Sequence, residues 1–260
     1  MVHPLGKVVT GVQESLAIES SSWADGRLNA LSAIVPVHDE EATVSMVVSG
    51  LIDVLPRVAR TWELIVVDDG SADGTARVLD ELAPRTRKLV VVRHACNRGY
   101  GAALRSGFAA ARYDHVFYTD GDGQFDPAQL VEAVGALAGA DGVVGYRLHR
   151  ADPLLRRVNT AAWNGIVRAL FGLRTRDLNC AFKLLPRAVL DPQALSADGA
   201  VISAEILARA ERAGCTFVEV PVQHWPRVTG RSSGARPSVV LRAAWELPRL
   251  YWQLRREGRA

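Results

Sequence analysis

The sequence feature that most constrains the fold is a buried apolar run that ends in a turn rich in aspartate and glycine. Val116-Phe117-Tyr118 leads into Thr119-Asp120-Gly121-Asp122-Gly123, and Asp126-Pro127 then starts a helix. The pattern predicts a strand whose C-terminal end carries two carboxylates, where open α/β sheets place their ligands. Oxygen ligands on a turn suit a hard cation such as Mg²⁺ or Mn²⁺. The residues favour a metal–diphosphate site, with a plain polar turn as the alternative.

Two earlier apolar runs end in acidic residues in the same way. Leu31–Val37 is followed by His38-Asp39-Glu40-Glu41, and Glu63–Val67 is followed by Asp68-Asp69-Gly70-Ser71. Apolar residues with helical spacing separate these runs, and Lys88–Val92 supplies a third strand before the one that leads to Asp120. Strands that alternate with helices predict an α/β fold with a mostly parallel sheet covered on both faces. The acidic turns should then converge on one edge of the sheet.

Composition excludes several classes of protein. The chain has 260 residues, of which 48% are hydrophobic and 23% charged, and this is ordinary for a globular protein. Its net charge of +3 gives no argument for nucleic acid as a partner. The three cysteines have neither metal-ligand spacing nor a disulfide framework, which favours the reducing cytoplasm. No apolar run reaches the roughly 18 residues of a membrane span, so we expect a cytoplasmic protein, soluble or peripherally bound to a membrane.

The pattern divides the chain into three parts. Residues 1–29 are weakly patterned and are interpreted as a tail, although Val12–Ile18 has the pattern of a short helix. Residues 30–236 form the α/β domain, and residues 237–260 form a basic amphipathic helix that Pro248 should kink or divide. This last segment interleaves aromatic residues with arginines. Such a helix either packs on the domain or binds a membrane surface or a partner.

Two further segments allow both a structural and a functional interpretation. Asn97–Gly107 is so rich in glycine and alanine that another backbone or a ligand can approach it closely. A dinucleotide-binding glycine loop is disfavoured there, because that loop follows the first strand. A later helical stretch carries scattered arginines, which form either a solvated basic face or a phosphate-receiving surface. These arginines are Arg156, Arg157, Arg168, Arg174 and Arg176.

From about Leu31 to Gly234 the chain resembles the inverting family-2 glycosyltransferases of GT-A fold, in particular the dolichyl- or polyprenyl-phosphate mannose and glucose synthases. Six motifs in the family's order carry the resemblance. They are Pro36-Val37-His38-Asp39-Glu40, Val67-Asp68-Asp69-Gly70-Ser71, the glycine-rich segment Asn97–Ala103, the Asp-x-Asp-x-Gln set Asp120, Asp122 and Gln124, the segment Asp177–Leu184, and Glu219–Val222 followed by Arg227–Ser232. The resemblance implies a GT-A three-layer sandwich with a C-terminal helical extension.

The same resemblance implies roles for individual residues. Those expected to bind the nucleotide sugar are Pro36, His38, Glu40, Asp68, Asp69, Arg98, Gly101, Asp120 and, at the diphosphate, Arg227. Those expected to hold Mg²⁺ or Mn²⁺ are Asp120, Asp122 and Gln124, with Asp122 counted as catalytic. Arg147 and Arg157 match arginines that receive an acceptor phosphate, and Asp177 is the candidate carboxylate facing the acceptor.

The implied function is metal-dependent transfer of a hexose, with inversion, from a GDP- or UDP-sugar to polyprenyl phosphate. A lipid phosphate has a second pKa of about 6, so it is largely dianionic at neutral pH and needs no strong base. A hydroxyl or amine on a small soluble acceptor is the alternative, and it requires a carboxylate such as Asp177 to take a proton. A domain that binds the nucleotide sugar without catalysis is a further alternative.

Overall fold

The computed structural model describes residues 23–24, 26–137, 139–148, 154–199, 201–227 and 237–257, with side chains omitted for 23–24, 154–161 and 237–241. The strands are β1 (Trp23–Ala24), β2 (Arg27–Val37), β3 (Ala59–Asp68), β4 (Leu89–Arg93), β5 (His115–Tyr118), β6 (Gly142–Arg147), β7 (Lys183–Pro186) and β8 (Phe217–Val222). The helices are α1 (Val44–Val58), α2 (Thr75–Leu82), α3 (Tyr100–Ala110), α4 (Leu130–Ala136), α5 (Leu154–Phe171), α6 (Ile202–Arg212) and α7 (Pro237–Glu257). Of these described helices, none has the length and apolar character needed to cross a bilayer.

The strands form one mostly parallel sheet in the order β4-β3-β2-β5-β7-β6-β8, with β1 paired to the start of β2. Strand β2 is parallel to β3 and β5, β3 is parallel to β4, and β6 is parallel to β8. Only β7 among the strands on this path is antiparallel to both of its neighbours. Because β2, β3 and β5 are adjacent and parallel, their acidic turns meet at one edge, and this prediction is confirmed.

Side chains of the central strands alternate between the two faces of the sheet, and this explains why helices cover the sheet on both sides. In β2, Leu31, Ala33 and Val35 point into a core shared with α1, α2 and α4, while Ile34 points into the opposite core. Successive side chains of a strand face opposite sides of the sheet, so a strand apolar at every position must be covered twice. The second cover is formed by α3, α5, α6 and α7, whose buried residues share a core with Ile34. The predicted α/β layer architecture is confirmed.

The start of the first long strand and the course of the last helix differ from simple expectations of the sequence pattern. Strand β2 begins at Arg27 and pairs with β1, so the strand overlaps the tail assigned to residues 1–29. The charged Arg27 and polar Asn29 hide this extension from an apolar pattern, and the possible helix Val12–Ile18 lies outside the described residues. At Pro248 the sequence predicts a kink or a division of the last segment, and the division does not occur, since α7 runs unbroken from Pro237 to Glu257. Buried leucines on both sides of Pro248 hold the helix together through tertiary packing.

Burial of His115 makes the stability of the fold depend on pH. The side chain is 5% exposed in β5, and within the described residues its Nε2 atom has no hydrogen-bond partner. Removal from water lowers the pKa of His115 below its ordinary value of 6.5, although Asp114 acts in the opposite direction. The unfolded chain therefore binds the proton more tightly than the folded one. Stability is lost as the pH falls through 6.5 towards the folded-state pKa.

We expect His115→Gln to reduce this acid sensitivity, because glutamine does not titrate. The measurement is urea unfolding of both proteins at about pH 7.5 and about pH 5.5. The wild type should lose more unfolding free energy between the two values than the variant does. Equal losses would show that His115 contributes nothing to acid sensitivity.

Candidate active site

The turn that carries Asp120 and Asp122 is held tightly against β2. A Cβ atom at Gly121 would lie 2.4 Å from Cγ1 of Val37, so no larger residue fits there without displacing the strand. The Thr43 hydroxyl donates to the carbonyl of Gly121 at 2.9 Å, and Oδ1 of Asp122 accepts from the Gln124 amide at 3.0 Å. Packing and hydrogen bonds therefore fix the position of both carboxylates.

Three carboxylates share this poorly hydrated edge. Burial, and then repulsion from Asp122, raise the pKa of Asp120 to about 7, while Tyr100, Arg147 and Arg227 act to lower it. Burial also raises the pKa of Glu40, with Arg227 opposing that shift and Asp122 adding to it. The edge thus concentrates more negative charge than its surroundings solvate, which is a property of sites that bind cations.

Arg227 supplies positive charge to these carboxylates. It follows β8, and its guanidinium lies 2.9 Å from Oδ2 of Asp122 and 3.1 Å from Oε1 of Glu40. The Arg227 side chain is 26% exposed, so the pairs are partly shielded from solvent. The sequence predicts that Arg227 contacts the diphosphate. In the structure its guanidinium pairs with one predicted metal ligand, Asp122, and with Glu40, which is predicted to bind the nucleotide sugar.

The donor set suits a divalent cation that shares its coordination shell with phosphate oxygens. Asp120 and Asp122 supply two carboxylates, and the part of the chain that is described contains no group of three or more His, Cys, Asp or Glu arranged to hold a metal ion. The Gln124 side-chain nitrogen donates to the Trp225 carbonyl at 2.8 Å, so only its oxygen could serve as a ligand. Mg²⁺ commonly binds one or two carboxylates together with substrate phosphates.

The carboxylate of Asp69 is occupied by the protein itself. Oδ1 accepts from the Arg98 amide at 2.9 Å, and Oδ2 accepts from the Gly99 amide at 2.8 Å. Asp68 accepts from the Ser71 amide at 3.0 Å. In the structure Asp68 and Asp69 hold the loops that border this edge of the sheet. Their contacts with a nucleotide stay predictions. Pro36 lies at the same edge, one residue before the end of β2. His38 and Arg98 are exposed beside it.

His94 belongs to this wall, although the sequence analysis missed it. Its Nδ1 lies 2.6 Å from Oδ1 of Asp69, and its Nε2 lies 2.8 Å from the Ser106 hydroxyl. Because a carboxylate only accepts, Nδ1 carries the proton. His94 directly follows β4, the strand next to β3, and this position after a parallel strand was the signal that could have identified it.

Gly101 meets another part of the backbone. A Cβ atom there would lie 2.3 Å from the carbonyl oxygen of Ala197, and the Gly101 amide donates to the Asp198 carbonyl at 2.7 Å. Its amide is therefore not available to a nucleotide. Of the two interpretations of the glycine-rich helix, the described residues support close approach of backbone. The segment that approaches is itself held by the fully buried Glu205, which accepts from the Ser196 and Ala197 amides.

Arg147 and Asp177 form a bidentate ion pair. Nε of Arg147 lies 2.7 Å from Oδ2 of Asp177, and Nη2 lies 2.9 Å from Oδ1. Both side chains are largely buried, at 14% and 6% exposure. The sequence predicts both residues at the acceptor, and the structure shows that they contact each other. Arg157 lies in α5, where the structure describes no side chain for it.

Lys183 supports the turn that carries Asp177. Its side chain is fully buried in β7, where Nζ donates to the Leu178 carbonyl at 3.1 Å and to the Cys180 carbonyl. Burial lowers the pKa of Lys183, and the nearby Cys180 and Asp177 act to raise it. The residue lies inside the motif Asp177–Leu184, yet nothing in the sequence predicts that its ammonium group lies beneath the site.

We expect Gly101→Ala to destabilise the protein, because the new methyl group would meet the Ala197 carbonyl. The expected loss is about 1–3 kcal/mol of unfolding free energy, as for other overpacked sites. Gly165→Ala is a matched control, since a Cβ atom in that exposed position of α5 meets nothing within 4 Å. The control should gain about 0.5–1 kcal/mol. Urea unfolding measures both, and unchanged stability of Gly101→Ala would contradict the close approach.

Comparison with solved structures gives the class of fold. The chain superposes with a TM-score of 0.62 and 22% identity on glucosyl-3-phosphoglycerate synthase from Mycobacterium tuberculosis, a structure in complex with Mn²⁺, UDP and phosphoglyceric acid. The superposition covers 78% of this chain and 72% of that one. The predicted GT-A glycosyltransferase fold is confirmed.

Comparison of sequences gives the family. The model of glycosyl transferase family 2 matches residues 32–195, and the chain therefore belongs to that family. The chain is 31% identical over 229 residues to polyprenol monophosphomannose synthase of Mycolicibacterium smegmatis, covering 82% of this chain and 85% of that protein. It is 30% identical over 166 residues to undecaprenyl-phosphate 4-deoxy-4-formamido-L-arabinose transferase of Aeromonas hydrophila, covering 63% of this chain. It spans about half the length of that transferase and its namesakes in other bacteria.

Proposed function

We propose that the chain catalyses transfer of a hexose, with inversion, from a GDP- or UDP-sugar to polyprenyl phosphate. The observation that carries the proposal is the cluster of Asp120, Asp122 and Glu40 at the sheet edge, with Arg227 paired to two of the three. Such a cluster suits a ligand that brings both a divalent cation and a diphosphate. The glycosyltransferase relatives named for undecaprenyl phosphate and polyprenol support the acceptor.

On the donor side, Asp120 and Asp122, with the side-chain oxygen of Gln124, would hold Mg²⁺ or Mn²⁺. The bound cation would offset negative charge on the leaving diphosphate. Arg227 would contact the diphosphate with a guanidinium that already lies beside Asp122 and Glu40. Asp68 and the loop that Asp69 holds in place would line the pocket for the base and ribose. These residues bind and orient the donor, and the close packing of the turn fixes its position.

On the acceptor side, the ion pair of Asp177 with Arg147 favours a phosphate over a hydroxyl. An ion pair with a guanidinium stabilises a carboxylate in its ionised form and makes it a weaker base. A lipid phosphate is already largely ionised at neutral pH and needs no base. We assign Asp177 the role of a positioning residue that orients Arg147 towards the acceptor phosphate, with Arg157 of α5 as a second candidate contact.

We expect Asp122→Asn to lose the transfer activity, because Asp122 is a proposed ligand of the cation. The assay combines purified protein, Mg²⁺ or Mn²⁺, a panel of GDP- and UDP-sugars, and a short polyprenyl phosphate. The variant should lose at least about a hundredfold in rate, as for other removed transition-state contacts, and EDTA should abolish transfer by the wild type. Asp126→Asn is the matched control, because this exposed residue caps a helical turn and asparagine caps equally well.

The outcomes separate the candidate functions. Lipid-dependent release of nucleotide from one donor, lost in Asp122→Asn and kept in Asp126→Asn, supports the proposal and identifies the sugar. Hydrolysis of a donor that lipid phosphate does not accelerate would favour a small soluble acceptor. Donor binding without turnover would favour a nucleotide-sugar-binding domain.

Asp177→Asn tests whether Asp177 positions Arg147 or acts as a general base. If the acceptor is a phosphate, the variant should lose less than about a hundredfold in kcat, because no proton has to be removed, and the KM for the acceptor should rise. Loss of a general base typically costs about 10²- to 10⁴-fold. Steady-state kinetics with varied acceptor, together with the pH dependence of kcat, separate the two roles. A loss at the upper end of that range, together with loss of the acidic limb of the kcat–pH profile, would contradict the positioning role.

We also propose that the protein reaches its lipid acceptor as a peripheral membrane protein, through the C-terminal helix α7. The alternation of aromatic and basic residues in this helix supports the proposal.

A further inference from the structure

Helix α7 has two opposite faces of different chemistry. Its inner face is a stripe of buried apolar residues that pack on the domain, namely Ala243, Leu247, Leu250 and Leu254. Its outer face repeats the same spacing with aromatic and basic residues, namely Trp245, Arg249, Trp252 and Arg256. Steps of four, three and four residues keep each set on one side of a helix. Packing on the domain therefore accounts for the inner stripe and leaves the outer stripe unexplained.

The outer face is unusually apolar for an exposed surface. Trp245 and Trp252 are 68% and 60% exposed, although tryptophan is among the residues that gain most from burial. Tyr251 contacts the ring of Phe171 at the end of α5, with 6.2 Å between centroids. On α5 itself, Ile166 is 53% exposed. Exposed apolar side chains on neighbouring helices indicate an interaction surface.

The same face carries positive charge. The Arg249 guanidinium lies 5.6 Å from the centroid of the Trp245 ring. Neither Arg249 nor Arg256 forms an ion pair within the described part of the chain. A groove of about 720 Å³ lies between them, lined by Arg249, Trp252, Gln253, Arg256 and Glu257. The carboxylate of Glu257 is paired with Arg209, so the groove has an excess of positive charge.

An anionic lipid surface matches this combination better than a second copy of the chain does. Tryptophan rings favour the interfacial region of a bilayer, and arginines attract anionic headgroups. A symmetric dimer through this face would bring its like-charged arginines together, because the same surface patch is used twice.

A chain of contacts joins the N-terminal part of α7 to the loops near the proposed donor site. Arg242 pairs with Asp198 at 3.1 Å, and Asp198 also pairs with Arg105 of α3. The carbonyl of Asp198 accepts from the Gly101 amide, close to the loop that Asp69 organises. A short chain of contacts thus joins α7 to the wall of the site.

We propose that Trp245, Arg249, Trp252 and Arg256 form a face that docks the protein on anionic membranes, with the rings in the interface and the guanidinium groups on headgroups. The inference rests on the proposed function in one respect, which is that the acceptor is a lipid.

The test is sedimentation of the full chain with vesicles that contain no acceptor. Vesicles of phosphatidylcholine with phosphatidylglycerol are compared with phosphatidylcholine alone, at low and high salt. The wild type should bind the anionic vesicles, and binding should weaken with salt. Arg249→Gln with Arg256→Gln should weaken binding about 25-fold, since each basic residue near an anionic surface contributes about fivefold. Trp245→Ala with Trp252→Ala should weaken it at least about tenfold.

A matched control removes the same charge elsewhere. Arg85→Gln with Arg87→Gln changes two exposed arginines between α2 and β4 and should leave vesicle binding within about twofold of the wild type, since charge beyond the Debye length is screened. Thermal unfolding checks that all variants fold. No binding of the wild type at low salt, or equal binding by the α7 variants, would overturn the proposal. Loss of a dimer in the tryptophan variant, without vesicle binding, would assign the face to a second copy.

Failure of docking and failure of the proposed function give different results. Transfer to a short polyprenyl phosphate in detergent does not require a bilayer. Transfer without vesicle binding would overturn the docking face alone. Vesicle binding without transfer from any donor would overturn the proposed acceptor chemistry and leave the membrane surface in place.

Discussion

The crowding of carboxylates at the C-terminal edge of the sheet is the constraint on which the rest of the site depends. Adjacent parallel strands deliver Glu40, Asp69 and Asp122 to one edge, where burial makes their charge costly. The protein offsets this charge in different ways. Arg227 pairs with Glu40 and Asp122, while backbone amides and His94 satisfy Asp69. Burial and repulsion from Asp122 raise the pKa of the neighbouring Asp120 to about 7.

These interactions also connect the site to the helices behind it. Asp69 fixes the start of α3, and the close approach of the Ala197–Asp198 backbone fixes its first turn. Asp198 in turn pairs with Arg242 of α7. The helix proposed to meet the membrane is therefore held against the wall of the proposed donor site. The helix proposed to dock on the membrane and the loop proposed to contact the nucleotide sugar are linked through Asp198.

Much of the fold follows from the sequence, because apolar periodicity and strand–turn chemistry are local. The strands at β2 to β5, the convergence of their acidic turns and the layer architecture were all predictable from spacing. Pro248 does not divide the last helix, because packing of Leu247 and Leu250 outweighs one missing hydrogen bond. The contact of Gly101 with the Ala197–Asp198 backbone could not be predicted, because the sequence does not show which backbone lies opposite a small residue. His94 was missed for a related reason, since its partners Asp69 and Ser106 are distant in sequence. Lys183 was missed because a local pattern does not show that its ammonium group folds back onto the carbonyls of Leu178 and Cys180.

By itself the sequence determined which elements form, where the carboxylates lie along the chain, and which family motifs are present. Only the tertiary structure decided which basic side chain pairs with which carboxylate. Arg227 and Asp122 are 105 positions apart, and Arg147 and Asp177 are 30 positions apart. Electrostatic interactions depend on distance in space and on burial, and neither can be read from a local pattern. The ion pair of Asp177 with Arg147 forms only because the fold brings the two side chains together, and the role of Asp177 at the acceptor stays a prediction.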